Sequence, residues 1–171
     1  VVLKKILPLE KTARGVLHGT LSAFRDPRFL AFAAMAFVFP LSMGMVVAVS
    51  PVWGAESGLG EGYIGLVLGG NSLIVAALAI PAASRMEALG PFRMLPAAAA
   101  LVSVSLLSYA LVPDAAAALL VGTVVFSFGE VIFSSAVPAA VAGLAPAGRR
   151  GAYQGGWALI GSLCMGSALV L

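Results

Sequence analysis

Five long apolar stretches constrain this chain more than any other feature of its sequence. Each is close to or longer than the roughly 20 residues that an α-helix needs to cross a hydrocarbon core about 30 Å thick. Strands of a membrane β-barrel would instead alternate polar and apolar residues over about 10 positions, and no such alternation is present. We therefore predict an all-α, polytopic membrane helix bundle with five transmembrane helices. The predicted spans are 29–53, 62–84, 94–112, 115–140 and 152–171.

The composition agrees with a membrane protein. Of 171 residues, 61% are hydrophobic and 10% are charged, whereas about 25% are charged in an ordinary soluble domain. So few charged groups cannot cover the surface of a soluble globule of this length. Soluble enzymes, disordered tails and nucleic-acid-binding domains are thereby excluded.

The basic residues are confined to three segments separated by pairs of apolar spans, so the net charge of +3 indicates topology rather than a nucleic-acid partner. The acidic residues Glu56, Glu61 and Asp114 occupy the intervening loops, which contain no Lys or Arg. Because cytoplasmic loops of membrane proteins collect Lys and Arg, we expect the N-terminus to be cytoplasmic. Within the basic segment 1–28, part of the stretch from Lys4 to Leu21 is expected to form an amphipathic helix on the membrane surface.

Glu130 is the first candidate functional residue, because it lies well inside a predicted span. A charge at the bilayer centre costs roughly 2.5–3.5 kcal/mol on insertion scales, so such a residue normally faces a cavity or a partner. Ser127 and Ser134, three residues before it and four after it, give the helix one polar stripe. Two interpretations remain open: a proton-binding or substrate-binding carboxyl in a water-accessible cavity, or a neutral acid hydrogen-bonded to a neighbouring helix.

Asn71 is the other strongly polar side chain at depth, in the second span. It is expected to hydrogen-bond across helices, and substrate contact is the alternative. Gly65 and Gly69 form a small-residue step of the kind that allows close helix packing. Pro40 and Gly44 predict a kink in the first span.

No motif for enzyme or metal chemistry is present. His18 has no second His or Cys near it, and Cys164 is a lone cysteine in an apolar span. Catalytic triads, HExxH and phosphate-binding glycine loops are missing from the sequence. We therefore predict no enzyme activity, no metal and no cofactor.

Two segments resemble the multidrug-type transporters of the major facilitator superfamily. Gly129-Glu-Val-Ile-Phe-Ser-Ser-Ala-Val-Pro138 and Leu144-Ala-Pro-Ala-Gly-Arg-Arg-Gly-Ala-Tyr-Gln-Gly155 are similar to the family's tenth helix and the loop after it, including the Gly-Glu pair, Arg149, Arg150 and the Tyr-x-Gly step. The turn from Ala83 to Arg93 resembles a degraded form of the family's cytoplasmic loop, Gly-x-Leu-Ala-Asp-Arg-x-Gly-Arg-Arg. In it Glu87 stands at the Asp position, Gly90 is kept, and Pro91 and Phe92 replace a basic pair.

The resemblance implies that the chain corresponds to helices seven to eleven, in the C-terminal half, with residues 1–28 as a cytoplasmic linker segment and 29–171 as the transmembrane bundle. It further implies a plasma (inner) membrane location, a small hydrophobic or cationic substrate, protons, and a partner in the form of a six-helix N-terminal half or another chain. Glu87, Gly90, Arg93, Arg149 and Arg150 would belong to a loop system that holds one conformation of the carrier.

Three hypotheses follow. The chain is part of a proton-coupled exporter that works by alternating access; or it is a non-transporting scaffold or inactive truncated carrier; or it self-associates into a functional dimer. The abrupt end of the last span leads us to expect a longer native chain.

Overall fold

The described part of the chain is a bundle of α-helices. The computed structural model describes residues 19–168, and the side chains of residues 86, 87 and 168 lie outside the description, as do His18 and most of the expected amphipathic helix. A helical turn at 19–23 precedes the six long elements. These are α1 (Pro27–Ala36), α2 (Val38–Glu56), α3 (Glu61–Leu89), α4 (Pro91–Leu111), α5 (Ala115–Leu144) and α6 (Arg150–Ala168). Residues 19–168 contain no strand, so the predicted all-α membrane helix bundle is confirmed.

Four helical segments within residues 19–168 are long and apolar enough to cross a membrane. They are Pro27–Glu56, Glu61–Arg85, Pro91–Leu111 and Ala115–Leu144. The described part of α6 is not among them, because Arg150, Tyr153 and Gln154 make its first turn polar. A fifth transmembrane span therefore stays a prediction, as does the division into 1–28 and 29–171.

The first span is interrupted at Phe37, which separates α1 from α2. Pro40 explains the position of the interruption. Its ring has no N–H to donate to the carbonyl of Ala36 and crowds that carbonyl, so the helix is disturbed one turn before the proline. The helix assignment changes one turn before Pro40, at Phe37, whose φ of −63° and ψ of −24° are helical, and the kink expected from Pro40 and Gly44 stays a prediction.

Side-chain caps and a glycine set the starts of three helices. Asp26 accepts a hydrogen bond from the Arg28 amide at 2.9 Å ahead of Pro27, and Asp114 accepts one from the Ala117 amide at 2.8 Å. Each carboxylate satisfies a helix amide that would otherwise lack a partner. Gly90 precedes α4 with φ +79°, a backbone conformation that only glycine adopts without strain.

α5 is the central helix and packs against each of the other five. The bundle has a basic end, with the Arg residues of the α1, α3, α4 and α6 termini, and an acidic end, with Glu56, Glu61 and Asp114. Three buried clusters follow α5 between these ends. At the basic end lie Ala23, Phe29, Phe32, Val137, Ala140, Val141 and Tyr153; at mid-depth Phe39, Val46, Val102 and Phe126; at the acidic end Ile64, Val67 and Leu119.

α4 and α5 make the most extensive helix contact in the described bundle, and two glycines of α5 allow it. A Cβ at Gly122 would lie 2.5 Å from Ser108 Oγ, and one at Gly129 would lie 3.1 Å from a methyl carbon of Val102. The buried Ser105 hydroxyl donates to the Gly122 carbonyl at 2.7 Å. In lipid, close van der Waals contact and interhelical hydrogen bonds hold helices together, so these features stabilise the α4–α5 pair.

One face of α3 has no partner among the described residues. Leu66, Leu73 and Ile80, spaced seven residues apart, are 73–82% exposed. A Cβ at Gly65 or Gly69 would meet no atom within 4 Å. The close helix contact expected at this small-residue step is therefore not made inside residues 19–168.

Candidate functional site

Glu130 lies halfway along the central helix α5 and is half-buried. Asn71, on α3, donates a hydrogen bond from its Nδ2 to Glu130 Oε2 at 3.1 Å. The structure thus joins the two polar side chains that the sequence placed at depth in separate spans, across the α3–α5 contact.

Ser127 extends this contact by one helical turn. Its hydroxyl lies 2.6 Å from Asn71 Oδ1 and 2.8 Å from the backbone carbonyl oxygen of Thr123. Ser127 is fully buried. We call Glu130, Asn71, Ser127 and the Thr123 carbonyl the polar network. It is a continuous line of hydrogen-bonding groups along the α5 face that meets α3.

Glu130 has no cationic partner among residues 19–168: its one side-chain hydrogen bond is to the neutral amide of Asn71. A carboxylate in this position keeps its charge only at a high free-energy cost, because the bilayer interior solvates it poorly. Proton binding or the approach of a cation removes that cost. The arrangement is therefore suited to reversible binding of positive charge.

Ser134 does not join the polar network. Its side chain is exposed, and its hydroxyl donates to the Val131 carbonyl of its own helix at 3.1 Å. Thr123 contributes its backbone carbonyl only, since Thr123 Oγ1 is a buried oxygen with no hydrogen-bond partner in the described structure.

Aromatic side chains of α5 flank Glu130 on the α2 side. Phe126 and Phe133 are four residues before it and three after it, so they share its helix face. Both stack on Phe39 of α2, with ring centroids 5.9 and 3.6 Å away. Glu130 is therefore placed between an aromatic stack towards α2 and an amide towards α3.

An apolar cavity of about 370 Å³ opens on the other side of the same stack, between α1, α2, α4 and α5. Phe39 and Phe133 line it, and Phe32, Phe92 and Met35 add apolar surface. Glu130 is not among its lining residues. From the start of α2, Phe39 and Ser42 line this cavity, while Met43 packs against the mid-depth core.

A family model described as Major Facilitator Superfamily matches residues 2–169. The chain belongs to the major facilitator superfamily. Comparison with curated proteins and with solved structures gave no significant match. Members of this superfamily are membrane transporters, and the apolar helices of this chain are long enough to cross a lipid bilayer.

The loop between α3 and α4, which resembles the superfamily's cytoplasmic loop, is only partly described. Gly90 has the positive φ that its turn requires, and Arg93 is exposed. Phe92 packs edge-on against Phe32 of α1, with centroids 6.2 Å apart. An aromatic contact thus lies where the family pattern has basic residues; the side chain of Glu87 is outside the described residues.

The second basic loop of this superfamily chain precedes α6. Arg149 and Arg150 are exposed, and neither has a side-chain hydrogen bond or ion pair within the part of the chain that the structure describes. Their proposed role in holding one carrier conformation remains a prediction.

Two residues that the sequence analysis did not single out as a site form a tether at the basic end. The Tyr153 hydroxyl donates to Asp26 Oδ2 at 2.6 Å and its ring packs edge-on against Phe29. This hydrogen bond, together with the Arg28 amide, holds the pKa of Asp26 below its ordinary value of 3.8. Asp26 and Tyr153 are 127 residues apart, so only the Asp-Pro helix start and the Tyr-x-Gly step gave any local signal.

The Tyr-x-Gly step also brings the helical turn at 19–23 against α6. A Cβ at Gly155 would lie 2.8 Å from Thr20 Oγ1, and the Gln154 amide donates to the Pro138 carbonyl of α5 at 2.7 Å. The three residues of this step therefore contact the chain before α1, α1 itself and α5.

Proposed function

We propose that this chain is the part of a multidrug-type exporter that contains helices seven to eleven, and that Glu130 carries the proton exchanged for substrate. In this proposal the bundle rocks against a six-helix half by alternating access around a site near the membrane midplane. The observation that carries the proposal is the polar network: a mid-membrane carboxyl held by a neutral amide, with no cation beside it among the described residues.

The location of Glu130 supports coupling rather than packing alone. The other described acidic side chains, Asp26, Glu56, Glu61 and Asp114, lie at helix ends or in loops. Glu130 alone is at the centre of a long apolar helix. A residue whose ionisation is so costly changes charge when water or a cation reaches it, which is the property that proton-driven transport requires.

The aromatic stack supports a hydrophobic or cationic substrate. Phe39 and Phe133 line the apolar cavity, and together with Phe126 they form a ring stack between α2 and α5, the helix that carries Glu130. Aromatic faces attract cations as well as apolar groups. A lipophilic cation matches a surface of this kind and competes with a proton for the carboxylate.

The charge distribution supports the proposed orientation. Arg28, Arg85, Arg93, Arg149 and Arg150 lie at one end of the bundle. Because Lys and Arg accumulate on the cytoplasmic side, that end would be cytoplasmic in the plasma membrane.

Transport by the full native carrier in liposomes tests the proposal. A pH gradient should drive movement of a fluorescent lipophilic cation, and Glu130→Gln should abolish the pH-driven component while preserving shape and hydrogen bonding. Glu56→Gln is the matched control, because Glu56 is exposed at a helix end. Flux that is unchanged in Glu130→Gln would reject the coupling role of Glu130, and a wild-type carrier without flux would favour a non-transporting scaffold.

A further inference from the structure

The Ser127 hydroxyl has one proton and two acceptors within hydrogen-bond distance. Asn71 Oδ1 is 2.6 Å away and the Thr123 carbonyl oxygen is 2.8 Å away. A serine hydroxyl donates one hydrogen bond and accepts others. The hydroxyl therefore has two alternative orientations, one towards α3 and one along α5. Which one it takes depends on whether Asn71 turns its amide oxygen or its amide nitrogen towards Ser127.

Asn71 also has two orientations that fit the same space. Rotation of its amide by 180° exchanges the oxygen and the nitrogen, which are nearly the same size, at the positions facing Glu130 and Ser127. We propose that Asn71 is a proton-linked positioning residue whose amide reverses when Glu130 gains a proton, and that Ser127 turns with it.

With Glu130 ionised, every donor points towards the carboxylate. Asn71 Nδ2 donates to Glu130, and the Ser127 hydroxyl donates to Asn71 Oδ1, which is the arrangement at 3.1 and 2.6 Å. The Thr123 carbonyl then keeps only the backbone bond of its helix. This direction of donors stabilises a negative charge on Glu130.

With Glu130 protonated, the direction of the donors is opposite. The new carboxylic O–H donates to Asn71 Oδ1, Asn71 Nδ2 donates to Ser127 Oγ, and Ser127 donates to the Thr123 carbonyl 2.8 Å away. Glu130, Asn71 and Ser127 are joined by two hydrogen bonds in both states, so protonation of Glu130 keeps the connection between α3 and α5. One proton is added, at Glu130, and no proton passes along the network.

Among the described side chains, no titratable group other than Glu130 belongs to the polar network. On the elements packed against α5, Tyr63 donates to the Ala116 carbonyl and Tyr109 pairs with Ser50, both towards the acidic end. Tyr153 is bound to Asp26 at the basic end, and Arg85 lies in a groove beside Val131 and Ile132. The remaining charged groups on these elements are at helix ends: Arg28, Glu56, Glu61, Arg93 and Arg150.

The inference rests on the proposed function, because it needs Glu130 to titrate. Its test is the NMR chemical shift of the Thr123 carbonyl carbon, which changes only if the Ser127 hydroxyl turns towards it. Thr123–Val124 is the one Thr–Val step in this sequence. Threonine labelled with ¹³C at the carbonyl and valine labelled with ¹⁵N restrict the NMR signals of the full carrier in lipid bilayers to Thr–Val steps, of which this chain contributes Thr123–Val124 alone. Thr123→Ser assigns the signal by removing it.

The expected result is a downfield shift of the Thr123 carbonyl signal as the pH falls, with the same midpoint as the side-chain carboxyl signal of ¹³C-labelled Glu130. Asn71→Leu should abolish the Thr123 shift although Glu130 still titrates. Ser127→Ala should abolish it too, and in Glu130→Gln the Thr123 signal should not depend on pH.

Two failures are distinguishable. A Glu130 carboxyl signal that titrates while the wild-type Thr123 carbonyl stays constant would overturn the reversal of Asn71 and leave the proposed function standing. A Glu130 signal that never titrates, although transport occurs, would overturn both. A Thr123 shift that persists in Ser127→Ala would show that the carbonyl responds to something other than the serine hydroxyl, and would also reject the inference.

Discussion

Substitution of Gly122 by alanine measures how much the close α4–α5 contact contributes to stability. The added Cβ would lie 2.5 Å from Ser108 Oγ and 3.0 Å from two ring carbons of Tyr109, whereas unstrained carbon contacts are about 3.5–4.0 Å apart. Neither neighbour moves freely. The Ser108 hydroxyl is bonded to the Ser105 carbonyl at 2.6 Å, and Tyr109 Oη is 3.0 Å from Ser50 Oγ.

The magnitude follows from these contacts. Overpacking costs about 1–3 kcal/mol, and a lost hydrogen bond between membrane helices costs about 0.6 kcal/mol, so we expect a penalty of about 2–3 kcal/mol. Alanine gains about 1 kcal/mol over glycine in a helix interior. The net loss in Gly122→Ala should therefore be about 1–2 kcal/mol.

Gly65→Ala is the matched control, because Gly65 is also within a helix but no atom lies within 4 Å of its added Cβ. The free energy of unfolding of both variants is measured in mixed detergent micelles by far-ultraviolet circular dichroism. The two glycines share the same propensity gain, so the difference between the variants, about 2–3 kcal/mol, isolates the steric penalty. Equal stabilities within about 0.5 kcal/mol would refute the close contact.

Three further variants test other parts of the structure. Tyr153→Phe should destabilise the protein at neutral pH. The pKa of Asp26 is lower in the folded protein than its ordinary value of 3.8, so the extra stability of the wild type over Tyr153→Phe is present above pH 3.8. That extra stability is lost as the pH falls through the lower pKa of the folded protein, and a stability difference that persists in acid would contradict this. Thr123→Val should leave stability unchanged or raise it by about 1 kcal/mol, since the Thr123 hydroxyl is buried without a partner; a clear loss on denaturation would reveal a missed hydrogen bond. Gly90→Ala should cost about 1–2 kcal/mol because of its φ of +79°, whereas Gly60→Ala, at an open loop position, should cost less in the same unfolding assay.

The helices follow from local properties of the sequence, whereas the contacts between them depend on tertiary packing. Apolar length sufficed to predict where the long helices lie, although α4 begins at Pro91, three residues before the predicted span. Glu130 and Asn71 were each identified by polarity at depth, but they are 59 positions apart, and no pattern in either span specifies that they touch.

Helical periodicity predicts which residues share a face, but it does not predict which of them bond to each other. It groups Ser134 with Glu130, yet a serine in a helix can bond to a carbonyl of its own preceding turn, and Ser134 does so. The sequence analysis did not predict the tether between Asp26 and Tyr153. The two residues lie at the start and near the end of the described chain, and no local sequence pattern indicates that they are in contact.

The interruption at Phe37 divides the first span into two parts with different attachments. The ten residues of α1 are fixed at the basic end by the Asp26–Tyr153 hydrogen bond and the packing of Phe29. The 19 residues of α2 beyond the interruption form a lever about 28 Å long. A change of direction of about 10° at Phe37 would displace its far end by about 5 Å while leaving the base in place. Such a displacement would carry Ser50 of α2 away from its 3.0 Å hydrogen bond with Tyr109 of α4, so the two parts of the span are held by separate contacts at opposite ends of the bundle.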